Sequence, residues 1–147
     1  MKVIKRSVSI NAPKEKVWDV LVNNKLNRIW YAEFSAGTIA ETDWQIGSKA
    51  VFKDESGSGL IAEVTENKPN EILSVEYKGM LSGGKEEYDS EEAKSVQGGG
   101  ETYVLKGTNG RTDLTITCDL DDSMYDAMSG MWDKALQRLK QLAESEA

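Results

Sequence analysis

Histidine is missing from this chain of 147 residues. Its absence removes the commonest general base near neutral pH and the commonest transition-metal ligand. Catalysis would therefore have to rest on carboxylates, tyrosines or lysines, and neither a metal nor a cofactor is expected. Cysteine is nearly missing too: the single Cys118 excludes an internal disulfide and suits a reducing compartment. No run approaches the ~20 apolar residues of a membrane-spanning helix. The opening MKVIKRSVSI alternates apolar with charged and polar residues rather than forming the continuous apolar segment of a signal peptide, so a cytoplasmic protein is expected. Basic residues are the minority, 18 Lys and Arg against 25 Asp and Glu, for a net charge of −7. They are scattered rather than gathered in a stripe, which argues against a nucleic-acid partner.

What the chain does have is enough apolar residue, 39%, for one core, and its length suits a single domain over 1–147. In VIKRSVSI, residues 3–10, Ile4, Val8 and Ile10 fall on one face with the period of a half-buried strand. The period then changes. NAPKEKVWDVLVN places Pro13 at a first helical position, Glu15 in the first turn and Val17, Val20 and Leu21 on one stripe. A second short helix is predicted over NKLNRIWYA, with Leu26, Ile29 and Trp30 on its inner face and Asn23 and Asn24 as the break before it.

From about residue 36 short strand-like runs follow one another: AGTIAE, SKAVFKD, GLIAEVTEN, EILSVEYKG, ETYVLKG and TDLTITCDL. ESGSG, KPN and TNG between them read as tight turns, which makes the strands an antiparallel meander. In the last run Leu114, Ile116, Cys118 and Leu120 share the buried face. Residues 80–100 interrupt the pattern with charge and glycine; they read as a mobile acidic excursion or a lid, with SEEAKSV as a short helix capped by Ser90. The GGG at 98–100 lacks the context of a phosphate loop and reads as a hinge. The chain closes on a long amphipathic helix over about 123–144, capped by Asp122 or by Ser123 with Asp126 completing a capping box. Its apolar stripe comprises Met128, Met131, Trp132, Ala135, Leu139 and Leu142. Gly130 interrupts that helix at a cost of roughly 1 kcal/mol; a close approach to the sheet, or a slight bend, would account for it.

The order is a strand, two short helices, a curved antiparallel sheet and a long C-terminal helix across it. Together with the segments INAPKEKVWDVLVN, IWYAEF, IGSKAVF, GRTDLTIT and GMWDKALQRLKQL, it resembles the SRPBCC or START-like superfamily. Within that superfamily the chain is similar to activators of the heat-shock-protein-90 ATPase. The resemblance implies an α+β helix-grip fold, with a sheet of about six to seven strands and a cavity between sheet and helix. Various members use that cavity for lipids, sterols, polyketides or plant hormones, and others are enzymes.

The leading expectation is binding of a small apolar or amphipathic molecule in this cavity. The alternatives are a co-chaperone-like module that binds a chaperone or another protein, and a cyclase, dehydratase or hydrolase working through cavity carboxylates or tyrosines. The candidate ligand-binding residues are Trp30, Phe34 and Trp44 at one rim, Phe52, Tyr77 and Tyr103 on strands, and Met124, Met128, Met131 and Trp132 on the last helix; each could equally be core packing. No catalytic or metal-binding residue is assigned. Glu63 and Glu76, on adjacent strands, are the carboxylates weighed for acid chemistry, and they read as a solvated outer face. Cys118 reads as inert core.

Overall fold

Alternation along β1 (Lys2–Ile10) buries Ile4 and Ile10 completely and Val8 in part. In the computed structural model, which describes residues 1–145, this strand pairs antiparallel with β8 (Arg111–Leu120), Ile4 opposite Cys118 and Val8 opposite Leu114. The expected domain limits of 1–147 thus include two residues outside those described. After β1 comes helix α1 (Lys14–Val22), which buries Val17, Val20 and Leu21. Pro13 stands at the cap rather than at the first helical position, with extended backbone, and its carbonyl accepts from the amides of Lys16 and Val17.

Helix α2 (Asn24–Tyr31) is capped by the Asn23 side chain, which accepts from the Lys25 amide. Its inner face differs from the one expected: Asn27, Trp30 and Tyr31 are buried, whereas Leu26 and Ile29 are half-buried. The physical reason lies in α1. Its last carbonyls have no partner within their own helix, and Asn27 Nδ2 donates to Leu21 O at 3.2 Å while Trp30 Nε1 donates to Val20 O at 3.1 Å. These two bonds fix the rotation of α2.

The remaining strands are β2 (Ile39–Glu41), β3 (Lys49–Lys53), β4 (Gly59–Lys68), β5 (Ile72–Ser82), β6 (Lys85–Glu87) and β7 (Gly100–Thr108). All pairings are antiparallel, in the order β1-β8-β7-β5-β4-β3-β2, with β6 attached to the end of β5. The architecture is the α+β helix-grip fold, with eight strands among the described residues rather than six to seven. The additional strand is β6, three polar residues inside the acidic excursion. That excursion is built of regular elements: β5 runs on to Ser82, β6 returns against it, and helix α3 (Glu91–Val96) follows, the Ser90 hydroxyl accepting from the Ala93 amide at 3.1 Å. Two register shifts between β4 and β5, at Ile61/Ala62 and Val64/Glu66, are bulges of the kind that bend a strand and deepen sheet twist.

Gly99 and Gly100 are no hinge. A Cβ at Gly99 would meet Asp119 O, and one at Gly100 would overlap Val75 O, so the missing side chains let three strand backbones approach closely.

Asp121 caps a short 3-10 turn (Asp122–Met124), its carboxylate accepting from the Ser123 amide at 3.1 Å, and helix α4 (Tyr125–Ser145) continues from it. Neither Asp122 nor Ser123 is the cap, because Ser123 donates to Asp121 through both its amide and its hydroxyl. Helix α4 buries Trp132, Ala135, Leu136, Leu139 and Ala143 and packs on β1, α1 and α2. Polar ties hold it to β1 and its exit: Arg6 Nε to Asp133 at 2.8 Å, Lys140 Nζ to Ser9 O at 2.5 Å and Asn11 N to Glu144 at 2.8 Å. Gly130 faces away from all of this. It is exposed, and a Cβ there would meet nothing within 4 Å, so the close approach expected of it is absent. Among the described residues no helix is long and apolar enough to cross a membrane.

Candidate ligand cavity

The concave face of the sheet and the N-terminal half of α4 do not close on each other. Between them lies a cavity of about 430 Å³. Alternation along the strands aims Tyr77 of β5, Tyr103 of β7 and Cys118 and Leu120 of β8 into it, and Phe52 and Leu60 join them from β3 and β4. Helix α2 and the residues after it contribute Trp30, Tyr31 and Phe34, and the approach to α4 and its first turns contribute Met124, Met128 and Trp132.

Eight of the ten residues singled out in the sequence therefore stand on the cavity wall. The other two do not. Met131 is half-buried but not on the cavity wall, and Trp44 borders a narrow void beyond Tyr31 and Phe52, its ring 6.2 Å from that of Phe52. Trp44 also has φ of 60°, a left-handed conformation that a bulky residue rarely adopts. Hydrogen bonds on both sides hold it there: the Trp44 N–H donates to Thr42 Oγ1 at 3.2 Å and its carbonyl accepts from Asn67 Nδ2 at 2.6 Å.

The aromatic wall is continuous. Phe34 meets Trp132 edge to face at 4.9 Å between centroids, Trp30 meets Tyr31 at 4.5 Å, and Trp132 lies 6.1 Å from Tyr103 and 6.4 Å from Trp30. Such spacings are those of favourable aromatic pairs.

Of the wall residues absent from the sequence-derived set, the one with the most polar chemistry is Glu101. Glu101, at the start of β7, shares its inward face with Tyr103 and Leu105 and is the acceptor for two tyrosine hydroxyls. Tyr77 Oη donates to Oε2 at 2.5 Å and Tyr103 Oη donates to Oε1 at 2.6 Å. The buried hydroxyls of both tyrosines, which needed partners, find them in this carboxyl group. Burial raises the pKa of Glu101 above the usual carboxylate value, outweighing the two hydrogen bonds that favour ionisation. Burial and the neighbouring Glu101 charge also push Tyr77, Tyr103 and Tyr31 well above the ordinary tyrosine value.

Cys118 stands opposite Glu101 across the β7–β8 ladder, its Sγ 3.6 Å from Tyr77 Oη. Burial and Glu101 push its thiol up to about 12; the Tyr77 hydroxyl and the Trp132 indole N–H work in the other direction. That indole N–H is buried without a full hydrogen bond.

The two carboxylates weighed from sequence lie elsewhere. Glu63 and Glu76 are cross-strand partners on the outer face of β4 and β5, and Glu76 is paired at 2.6 Å with Lys78. A signal for Glu101 was present in the parity of β7: a residue two before an inward tyrosine is itself inward. Among the described residues no cluster of His, Cys, Asp and Glu has the arrangement of a metal site.

Residues 11–144 match the family described as Activator of Hsp90 ATPase homolog 1-like protein. No curated protein sequence matches the chain. Similar solved structures include protein MLL2253 from Mesorhizobium loti, at 18% identity and a TM-score of 0.78 over 99% of both chains. The Aha1 dimer from Colwellia psychrerythraea is 20% identical with a TM-score of 0.73, covering 98% of this chain and 97% of its own. ChR145 from Cytophaga hutchinsonii is 23% identical with a TM-score of 0.72, covering 99% of this chain and 96% of its own.

Proposed function

The chain belongs to the Activator of Hsp90 ATPase homolog 1-like family of the SRPBCC superfamily, and on that premise we propose that it binds a small amphipathic molecule in the cavity beneath α4. One observation supports this above the others: a cavity of about 430 Å³ whose wall is mainly aromatic and aliphatic, with a polar cluster at Glu101 inside and polar groups such as Asp54, Ser58 and Asp121 also on its lining. Small-molecule sites have this character, a few hundred Å³ of mainly apolar wall with a small number of placed polar groups that orient the ligand. Eight residues named from sequence, Trp30, Phe34, Phe52, Tyr77, Tyr103, Met124, Met128 and Trp132, are the proposed contacts. The methionines suit the role because an unbranched thioether adapts to varied shapes. A cytoplasmic location accords with the lone cysteine, which stays a buried free thiol.

The test is a titration of fatty acids, sterols and flavonoid-like compounds followed by NMR. Binding in the cavity shifts the Trp132 indole and the Met124 and Met128 methyl resonances. A panel that leaves all three unmoved refutes the reading.

The enzymatic alternative gains support from Glu101. It needs a buried carboxyl group facing the cavity, and Glu101 with its raised pKa meets that condition for general acid chemistry. Turnover of a bound ligand that stops in a Glu101→Gln variant with binding retained would establish it. The protein-binding alternative draws on family membership alone. The large apolar residues exposed among those described are Met1, Val3, Ile46, Tyr88 and Met124, and of these only Met124 borders the cavity.

A further inference from the structure

The polarity of the cavity is one-sided. Among the described residues every charged one on its wall is acidic: Glu101 inside, and Asp54 and Asp121 toward solvent, with no lysine or arginine. Hydrogen bonds from Ser56 and Ser35 hold Asp54 down at about 2, and Ser123 lowers Asp121, so both rim groups are ionised at neutral pH. With a net charge of −7 on the whole chain, the field at the entrance attracts cations and repels anions.

The hydrogen-bonding sense of the Glu101 cluster is equally one-sided, although the Trp132 indole N–H on the same wall is a buried donor without a full hydrogen bond. Tyr77 and Tyr103 each commit their only O–H to Glu101. What the three residues then present to the cavity is lone pairs: those left on two carboxyl oxygens, which together offer about four acceptor sites, and those of two phenolic oxygens. Nothing in the cluster balances a carboxylate charge, which is why burial dominates the titration of Glu101. Around it stand the rings of Trp30, Tyr31, Tyr103 and Trp132, and the negative quadrupole of such a ring favours a cation placed over its face within about 6 Å. A ligand anion at this cluster would meet acceptors and like charge. A ligand with several N–H donors and a positive charge satisfies each feature.

We propose that Glu101, Tyr77 and Tyr103 form an ammonium-binding site, and that the cavity takes a protonated primary amine carried on an apolar, preferentially aromatic, body. This deepens the cavity-binding reading and rests on it. The ammonium donates to Glu101 and to the tyrosine oxygens, supplies the missing counter-charge, and lies against the aromatic wall while the body fills the apolar remainder. Substituents that remove N–H donors weaken the fit, and carboxylic acids with the same body are rejected.

The experiment compares 1-naphthylmethylamine, 1-naphthylmethanol and 1-naphthoic acid at pH 7 by calorimetry and NMR, with the full chain. The amine is expected to bind at least tenfold more tightly than the alcohol, with the acid weakest, and its methylene protons to show NOEs to the Tyr77 and Tyr103 rings. Glu101→Gln reduces the amine's advantage to threefold or less while the alcohol still binds. Equal or tighter binding of alcohol or acid, an amine preference that survives Glu101→Gln, or NOEs confined to the Asp54 and Asp121 rim overturns the proposal alone. Failure of all three probes to bind overturns the proposal, and the cavity reading falls with it when the panel of fatty acids, sterols and flavonoid-like compounds also leaves the Trp132, Met124 and Met128 resonances unmoved. The wild-type order and NOEs decide the matter even if the variant does not fold.

Discussion

Replacing Gly130 by alanine stabilises the chain by about 1 kcal/mol. Glycine in a helix interior is disfavoured against alanine by about 0.8–1.0 kcal/mol, chiefly through the extra freedom of the unfolded backbone. Three terms could offset that gain, and the structure removes each. Gly130 sits inside α4, five residues from its start, where no end effect applies. Its φ is not among the positive values of the chain, so alanine is not strained there. A Cβ at this position meets nothing within 4 Å, so neither clash nor new packing enters. For a domain of this size, 1 kcal/mol corresponds to a rise in Tm of about 2–4 °C. Urea denaturation followed by circular dichroism measures the change directly, with the slope expected to stay constant because the surface exposed on unfolding is the same. A Gly130→Ala protein with unchanged or lowered stability would show that α4 needs a flexible position there, and the propensity argument would fail.

Gly100→Ala should behave in the opposite way, losing about 1–3 kcal/mol as an overpacked site, because its Cβ overlaps the Val75 carbonyl; equal Tm values for variant and parent refute this close approach. The pH dependence of stability should change in Glu101→Gln. The folded pKa of Glu101 is raised above the ordinary 4.5, so the native state holds its proton longer than the unfolded state does. That contribution is favourable below pH 4.5 and is lost as pH rises through the raised value, at about 1.4 kcal/mol for each tenfold difference in proton affinity between folded and unfolded chain. The variant lacks the loss, so its stability relative to wild type should climb above pH 4.5 and then level off; a flat difference from pH 4 to 8 counts against a buried carboxyl. Cys118, with its thiol raised to about 12, should resist iodoacetamide at pH 8 in the folded protein and react on unfolding in urea. Rapid labelling of the native chain contradicts the packing described.

The strands and α4 are legible in the sequence because period-two alternation and glycine or asparagine turns are local properties of the chain; Asn109 and Gly110, with φ of 52° and 77°, do at the β7–β8 turn what their identities suggest. The resemblance to the superfamily adds the cavity. What escapes is set by partners distant in sequence. Asn27 displaces Leu26 and Ile29 from the inner face of α2 because its amide has a carbonyl to bind on α1. Strand β6 is three polar residues without alternation, and only β5 beside it makes it a strand. Gly99 and Gly100 look like freedom in sequence and serve close approach in space, whereas Gly130 is the reverse. In the site, Glu101 escapes any comparison of carboxylates as cross-strand pairs, because that comparison selects outward neighbours such as Glu63 and Glu76. The face shared with Tyr103 carries the information.

The pairing of β1 with β8 joins Lys2 to Leu120 and Ile10 to Thr112, so the first strand has its partner more than a hundred residues away. Hairpins such as β7–β8 close short loops, but this ladder pays a large loop entropy before any contact rewards it. On a ribosome adding about 5–20 residues per second, β1 emerges well before β8 exists and waits with its hydrogen-bonding edge open. Since α4 follows β8 in the chain and is fastened to β1 and its exit by Arg6, Ser9 and Asn11, the helix that covers the cavity is the last element to emerge and to take its seat. The cavity is thus a late product of folding, and a chaperone or ligand present at that stage meets a sheet without its lid.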